Sequence, residues 1–289
     1  MRERLTVSPR TYALVAQAAM AILVLIVFSG AAVRTSGSGL GCPDWPDCRG
    51  TFLPAFEKHT WMEYSNRLLS SVVGVVCVAA GVLAFRLRPL RRDILRPAVV
   101  LPVGVIAEGA LGAAAVAFDL QCPHLIAHYL LSAALLVAGA VLVWRLRRGA
   151  GAARPENPGA IVVAGTFATA AGPHAGGAGT GDYVARLDAF GAETLRTIIH
   201  IHGHSGTVVG VSSVLLWLFA RSKGVTGGLM RALTAVCVLM AVQGAIGLIQ
   251  YHNELPSELV WIHASLAAVV WLAFVFAVLA AGRPAPRAA

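Results

Sequence analysis

Eight long apolar stretches run through this sequence of 289 residues and constrain its fold more than any other feature. A helix needs about 20 mostly apolar residues to cross a bilayer. The chain is 57% apolar and 13% charged, whereas about 25% of the residues in a soluble domain are charged. A single soluble core cannot bury so large an apolar fraction. The composition therefore excludes a disordered chain, a disulfide-rich mini-protein and an ordinary cytosolic enzyme. The predicted membrane helices are 12–33, 63–85, 97–118, 124–144, 158–172, 197–220, 231–250 and 258–281.

The basic residues collect on one side of these helices. With the N-terminus inside, the inner segments hold 17 of the 23 Lys and Arg residues. An excess of Lys and Arg marks the cytoplasmic loops of membrane proteins, so we predict a multi-pass protein of the cell membrane with both termini in the cytoplasm. The net charge of +9 then reflects topology, and we set nucleic acid aside as a partner. The inner segments are 1–11, 86–96, 145–157, 221–231 and 282–289.

An internal repeat relates the two halves of the chain at an offset of 135 residues. The segment Glu108–Gly112 matches Gln243–Gly247, and His128 matches His263. Two halves with the same number of helices and the same orientation form parallel repeats, related by an axis along the membrane normal. We therefore predict an all-α integral membrane protein with eight transmembrane helices in two pseudosymmetric four-helix bundles. The predicted parts are an N-terminal bundle at 1–148, a cytoplasmic linker at 149–157 and a C-terminal bundle at 158–289.

All nine histidines fall in outward loops or at the outward ends of predicted helices. Ionisable side chains at membrane depth are usually functional, and neutral imidazole is the commonest metal ligand. His202 and His263 suit haem ligation by two histidines from facing helices. His200 and His204 remain rivals of His202, and their spacing of four residues also suits zinc. The other histidines, apart from His128, are interpreted as loop or interface residues: His59, His124, His174 and His252.

A carboxylate and an amide open the second predicted helix on one face. Glu63 and Asn66 are three residues apart, so they are neighbours on a helix, and they meet His128 if the second and fourth helices face one cavity. Glu63 is either a proton acceptor or charge stabiliser, or a favourable acid in the first helical turn. Arg67 either pairs with a propionate-like carboxylate or snorkels to the interface. Glu108 either serves a proton path or bonds to a neighbour.

Two of the five cysteines are predicted to form a disulfide. Cys42 and Cys48 face the oxidising side, and two prolines among the five residues between them favour a tight loop. Cys77 and Cys237 lie inside predicted helices and are interpreted as small apolar residues. Cys122 has no assigned role.

Several segments together resemble the haem A synthase family. They are the outer-loop segment Val33–Cys48, the helix start Glu63–Arg67, the stretch Ala127–Ser132 and the loop Gly172–Gly176. The resemblance covers nearly the whole chain. It implies eight helices in two bundles and an oxidoreductase that converts the C8 methyl group of haem O to a formyl group, which gives haem A for terminal oxidases.

The resemblance also implies a ligand set. His202 and His263 are expected to bind the iron of a haem b in the second bundle. The first bundle is expected to hold the substrate haem O, with His128 as an iron ligand and Glu63 as the catalytic carboxylate.

One position departs from the family pattern. Asn66 stands where many members have histidine, as in an actinobacterial-type branch of the family. Asn66 and Arg67 are then expected to line the substrate-haem site, and His59 is a candidate for the second axial ligand.

Two other functions are compatible with the same residues. A non-catalytic membrane cytochrome with two b-type haems, which takes electrons from quinol, needs the same histidines but not Glu63. A transporter built on parallel repeats is less favoured, because its polar residues belong near the bilayer centre and here they cluster at the outer end. The expected partners are the lipid membrane and, in biosynthesis, haem O synthase and cytochrome oxidase assembly factors.

Overall fold

The computed structural model describes residues 6–148, 180 and 184–282. In these ranges seven helices are long and apolar enough to span a membrane, and the only strand-like pairings are isolated bridges. Seven of the eight predicted spans are confirmed, so the protein is an all-helical, multi-pass membrane protein. The predicted span 158–172 lies outside the described residues. The helices are α1 (Pro9–Thr35), α2 (Lys58–Arg86), α3 (Arg92–Ala117), α4 (Cys122–Arg148), α5 (Thr194–Ser222), α6 (Gly227–His252) and α7 (Ser257–Ala281).

Most of the helices run past the apolar stretches that predicted them. α1 begins at Pro9 because the Ser8 side chain caps it, accepting a hydrogen bond from the Thr11 N–H at 3.1 Å. α4 continues through the basic residues of its last turn to Arg148, where positive charge is favourable near the helix C-terminus. α2 begins at Lys58. Glu63 therefore lies in the second turn of α2, and the interpretation of it as a first-turn acid was wrong.

Helices α1 to α4 form a closed ring in which each helix contacts the next and α4 contacts α1. Small residues bring the helices close together. The position of a Cβ on Gly81 of α2 lies 2.9 Å from Pro102 of α3, and that on Gly139 of α4 lies 2.8 Å from Met20 of α1. The buried Tyr12 of α1 donates a hydrogen bond to a main-chain carbonyl of α2 at 3.0 Å. In this ring α2 and α4 are diagonal partners.

Helices α5, α6 and α7 pack in chain order, and α7 also contacts α1 and α4. Two tryptophans of α7 make this junction. The indole of Trp261 donates to the carbonyl of Phe28 in α1 at 3.1 Å, and the indole of Trp271 donates to the carbonyl of Ala133 in α4 at 2.9 Å. α7 therefore joins the second half of the chain to the first.

The N-terminal segment lies beside the loop between α2 and α3. Val7 exchanges main-chain hydrogen bonds with Arg86 and Arg88, at 3.0 and 3.2 Å, and Leu87 between them is buried. The segment before α1 and the arginine-rich loop 87–91 are thus on one side of the helices. The loop 36–57 and the α3–α4 connection lie at the other ends of the same helices.

Candidate functional site

His202 of α5 and His263 of α7 face each other. Their ring centres are 6.1 Å apart and their planes are nearly perpendicular, at 80°. Each Nδ1 is buried and has no hydrogen-bond partner among the described residues. Two imidazoles that bind one metal ion from opposite sides, at about 2 Å each, have ring centres roughly 6 Å apart. The separation and the unpaired nitrogens fit ligation of a haem iron.

A glycine of α6 lies beside this histidine pair. A Cβ on Gly247 would come within 3.1 Å of Cε1 of His263. One turn earlier, the amide nitrogen of Gln243 donates to the main-chain carbonyl of His263 at 3.0 Å. Gly247 leaves room for the imidazole, and Gln243 ties α6 to α7 at the same level.

The first half repeats this arrangement with one change of chemistry. A Cβ on Gly112 of α3 would lie 3.8 Å from Cε1 of His128 in α4, as Gly247 lies beside His263. Glu108 occupies the position of Gln243, but its Oε2 lies 2.5 Å from Nδ1 of the imidazole. The two atoms are within ion-pair distance, but their geometry does not form a hydrogen bond. The other oxygen of Glu108 accepts from Ser132 at 2.7 Å.

The diagonal partner of α4 carries Asn66. Its Oδ1 is buried and has no hydrogen-bond partner among the described residues. Buried polar groups without partners are rare in proteins, and here they recur in both halves near the histidines. Asn66 and His128 lie on diagonal helices of the ring, and the amide oxygen of Asn66 is available to a polar ligand.

Glu63 is 5% exposed, and both of its oxygens are bonded. Oε2 accepts from the main-chain N–H of Cys42 at 2.8 Å, and Oε1 accepts from Arg67 at 2.6 Å. The disulfide between Cys42 and Cys48 predicted from the sequence is confirmed. Glu63 thus anchors the first cysteine of this loop to α2.

Arg67 holds the same loop through its carbonyl groups. Besides Glu63, its guanidinium donates to the carbonyls of Cys42 at 2.6 Å, Asp44 at 2.6 Å and Asp47 at 2.9 Å. These four acceptors are made by the loop and by α2. Arg67 therefore does not snorkel to the interface; the fork of donors of a guanidinium is used to fasten the disulfide loop.

His200 and His204, the alternatives to His202, lie on a different face of α5. His200 and His204 are exposed, with ring centres 6.2 Å apart, and His200 meets the edge of Tyr251. Among the described residues no group of three or more His, Cys, Asp or Glu side chains is placed to hold a metal ion. The zinc hypothesis for His200 and His204 therefore gains no third ligand from this part of the chain.

The remaining described histidines have local partners. The Nδ1 of His59 lies 2.8 Å from the buried hydroxyl of Ser38, and His124 stacks on Phe118 with ring centres 4.8 Å apart. His252 meets the edge of the neighbouring Tyr251. His174 lies outside the described residues. Sequence reasoning missed the Ser38–His59 contact, because nothing in their spacing brings residues 21 positions apart together.

The chain matches one protein family and several individual proteins in sequence. The sequence pattern of the COX15-CtaA family, described as cytochrome oxidase assembly protein, matches residues 13–194. Three relatives bear the name haem A synthase. The protein of Symbiobacterium thermophilum is 39% identical over 97 residues, which are 33% of this chain and 32% of the relative. That of Halalkalibacterium halodurans is 32% identical over 143 residues, 49% of this chain and 47% of the relative. That of Bacillus pumilus is 29% identical over 132 residues, 44% and 43%.

These matches span between about a third and a half of the relatives' length. The family match is broader, since it covers more than half of this chain, from the start of α1 to the first residue of α5. The helices that hold Asn66, Glu108 and His128 all lie within it. The chain therefore belongs to the COX15-CtaA family of cytochrome oxidase assembly proteins.

Proposed function

We propose that this protein is a haem A synthase, which oxidises the C8 methyl group of haem O to a formyl group. The observation that carries the proposal is the repeated pairing of a glycine with a histidine, Gly112 with His128 and Gly247 with His263. The second pair stands within 6.1 Å of a further histidine, His202. The names of the relatives support the same activity.

In this proposal the two halves have different tasks. The second bundle, 158–289, binds a haem b through His202 and His263, and this haem carries electrons. The first bundle, 1–148, binds the substrate haem O, and residues 149–157 link the two. The histidine pair supports this division, because only the second half has two facing imidazoles among the described residues.

His128 is the proposed ligand of the substrate iron. Its ring has one nitrogen near Glu108, which leaves the second nitrogen for a ligand. Asn66 on the diagonal helix lines the same space, and an amide is a poor ligand for iron. We therefore propose His128 as the iron ligand from α4. His59, whose Nδ1 contacts Ser38 at 2.8 Å, keeps its second nitrogen and remains the proposed candidate for the other axial position.

Glu63 and Arg67 act at the outer end of the first bundle. The carboxylate of Glu63 already accepts two hydrogen bonds, so we propose that it serves as a fixed negative charge and as the anchor of the disulfide loop. Arg67 shapes the substrate-haem site by holding that loop. Together the two side chains hold the disulfide loop against α2.

The test of the function is expression in a host that makes haem O but no haem A, followed by pigment extraction and mass measurement. Wild-type protein is expected to produce haem A, and His128→Ala and Glu63→Ala are expected to abolish it. His124→Ala is the matched control, since His124 stacks on Phe118 and should retain activity. A chain that reaches the membrane, binds haem b and makes no haem A would instead be the non-catalytic cytochrome.

The proposal also covers the location of the protein in the cell and its protein partners. We place the protein in the cell membrane with both termini in the cytoplasm, as the distribution of Lys and Arg favours. Haem O synthase and cytochrome oxidase assembly factors are the proposed protein partners. Membership of an actinobacterial-type branch stays a prediction.

A further inference from the structure

The two halves of the chain differ at one position beside each central histidine. Glu108 of α3 and Gln243 of α6 are equivalent in the repeat. Glu108 directs a carboxylate oxygen to Nδ1 of His128 at 2.5 Å, whereas Gln243 donates to the main chain of His263. A charged acceptor thus faces the imidazole in the first half, and a neutral amide bound to the backbone occupies the same place in the second.

The carboxylate of Glu108 is held in this position. Ser132, one turn after His128 on α4, donates to its Oε1 at 2.7 Å. Because that oxygen is occupied, the other one is directed to the ring. The side chain of Glu108 is 13% exposed and that of His128 is 43% exposed, so the carboxylate is held inside the helix ring while part of the imidazole remains accessible.

We propose that Glu108 is a positioning residue that makes the iron ligand of the first half electron-rich, and so lowers the reduction potential of a haem bound there. The inference rests on the proposed function. A histidine that ligates a metal through one nitrogen commonly donates its other N–H to a carboxylate, which orients the ring and raises its basicity. Nδ1 of His128 lies 2.5 Å from Oε2 of Glu108, which is close enough for this kind of contact.

The consequence is a lower reduction potential for the first site than the same site would have without the carboxylate. A more basic axial ligand stabilises the ferric state. Gln243, which donates to the main chain of His263, supplies no carboxylate to the second site.

The test measures the reduction potential of iron protoporphyrin IX in the first half. The probe is added to the full-length chain carrying His263→Ala, which leaves the first half as the haem site. Glu108→Gln is expected to raise the ratio of ferrous to ferric haem about tenfold at a fixed potential, which is 59 mV for one electron. Glu108→Asp keeps the charge but withdraws it from the ring, so a smaller shift in the same direction is expected.

A second readout reports the ligand bond itself. The iron–histidine stretching frequency of the ferrous haem, measured by resonance Raman spectroscopy, is expected to fall in Glu108→Gln. Gln243→Ala is the matched control at the equivalent position and is expected to leave both quantities unchanged. Thermal unfolding and size-exclusion profiles identify any variant that has not folded, and Glu108→Asp then carries the test.

Two different failures are distinguishable. If Glu108→Gln and Glu108→Asp leave the potential and the stretching frequency at wild-type values, Glu108 has no electronic role and the inference is wrong, although haem A formation is untouched. If the probe does not bind the first half of the chain at all, the proposed function fails first.

Discussion

His200, His202 and His204 lie within one and a half turns of α5. Their orientation around the helix distinguishes the candidate ligand from the other two. Successive residues on a helix are rotated by about 100°, so His202 points away from the side shared by His200 and His204. The packing of α5, α6 and α7 turns His202 toward His263, at 6.1 Å, and leaves the other two exposed. Sequence spacing alone left all three open as candidates.

At this scale we expect His263→Ala and His202→Ala to lose the proposed haem b. Removing one of two axial ligands leaves the iron with a single protein bond. The measurement is the haem content per purified chain and the absorption spectrum of the reduced protein. His200→Ala is the control and should bind haem as the wild type does; a loss of haem in that variant alone would make His200 the ligand.

A second prediction at the residue scale concerns Arg67. Arg67→Lys is expected to destabilise the protein by about 1–3 kcal/mol, because a single ammonium cannot reach four acceptors and leaves buried Glu63 partly unpaired. Thermal unfolding in detergent measures the change. Arg196→Lys is the control, since the Arg196–Glu193 pair is exposed and its atoms are 3.8 Å apart, and exposed pairs contribute little. Equal stability of both variants would contradict the loop-anchoring role.

At the scale of elements, a glycine on one helix sets how closely a histidine on the next can approach. The same glycine–histidine pairing occurs between α3 and α4 and between α6 and α7, but with different clearance. A Cβ would meet Cε1 of His263 at 3.1 Å and Cε1 of His128 at 3.8 Å. The first distance requires the ring to shift, and the second is ordinary van der Waals contact.

We therefore expect Gly247→Ala to disturb the second site and Gly112→Ala to be tolerated. Alanine favours helix by up to about 1 kcal/mol over glycine, so any loss in Gly247→Ala comes from the displaced imidazole. The absorption spectrum of the bound haem b checks the site, and thermal unfolding checks the fold. Identical spectra for wild type and Gly247→Ala would show that His263 does not need this clearance.

On the scale of the whole molecule, the two halves are joined through α7. Trp261 and Trp271 reach from α7 to main-chain carbonyls of α1 and α4. A tryptophan N–H in an apolar setting needs an acceptor, and the neighbouring half supplies it. The site in the second half is thus built on a helix that is itself fastened to the first bundle.

The orientation of the whole molecule in the membrane is open to a direct test. Phe56→Cys lies in the loop 36–57, where Phe56 is 90% exposed, and Leu90→Cys lies in the arginine-rich loop, where Leu90 is 46% exposed. Since positive loops stay in the cytoplasm, a membrane-impermeant thiol reagent should label Phe56→Cys in intact cells and Leu90→Cys only after lysis. The parent chain, with its own free cysteines, is the control, and the reverse pattern would invert the topology.

The sequence alone determined the helices, the repeat, the disulfide and the group of candidate residues. Length and hydropathy decide which segments cross a membrane, because each span has to bury its own backbone polar groups in a helix. Cys42 and Cys48 are six positions apart, so the short loop between them keeps them close however the helices pack. Those constraints are local, so they can be read without knowing how the helices pack.

Only the tertiary structure decided which candidates act together. In the structure His202 faces His263, and the carboxylate of Glu108 contacts the ring of His128. Glu63 and Arg67 both bind the disulfide loop. Each of these contacts joins groups whose meeting depends on the rotation and depth of helices relative to their neighbours. That rotation follows from the packing of small and large side chains along whole helices, which no local pattern of residues records.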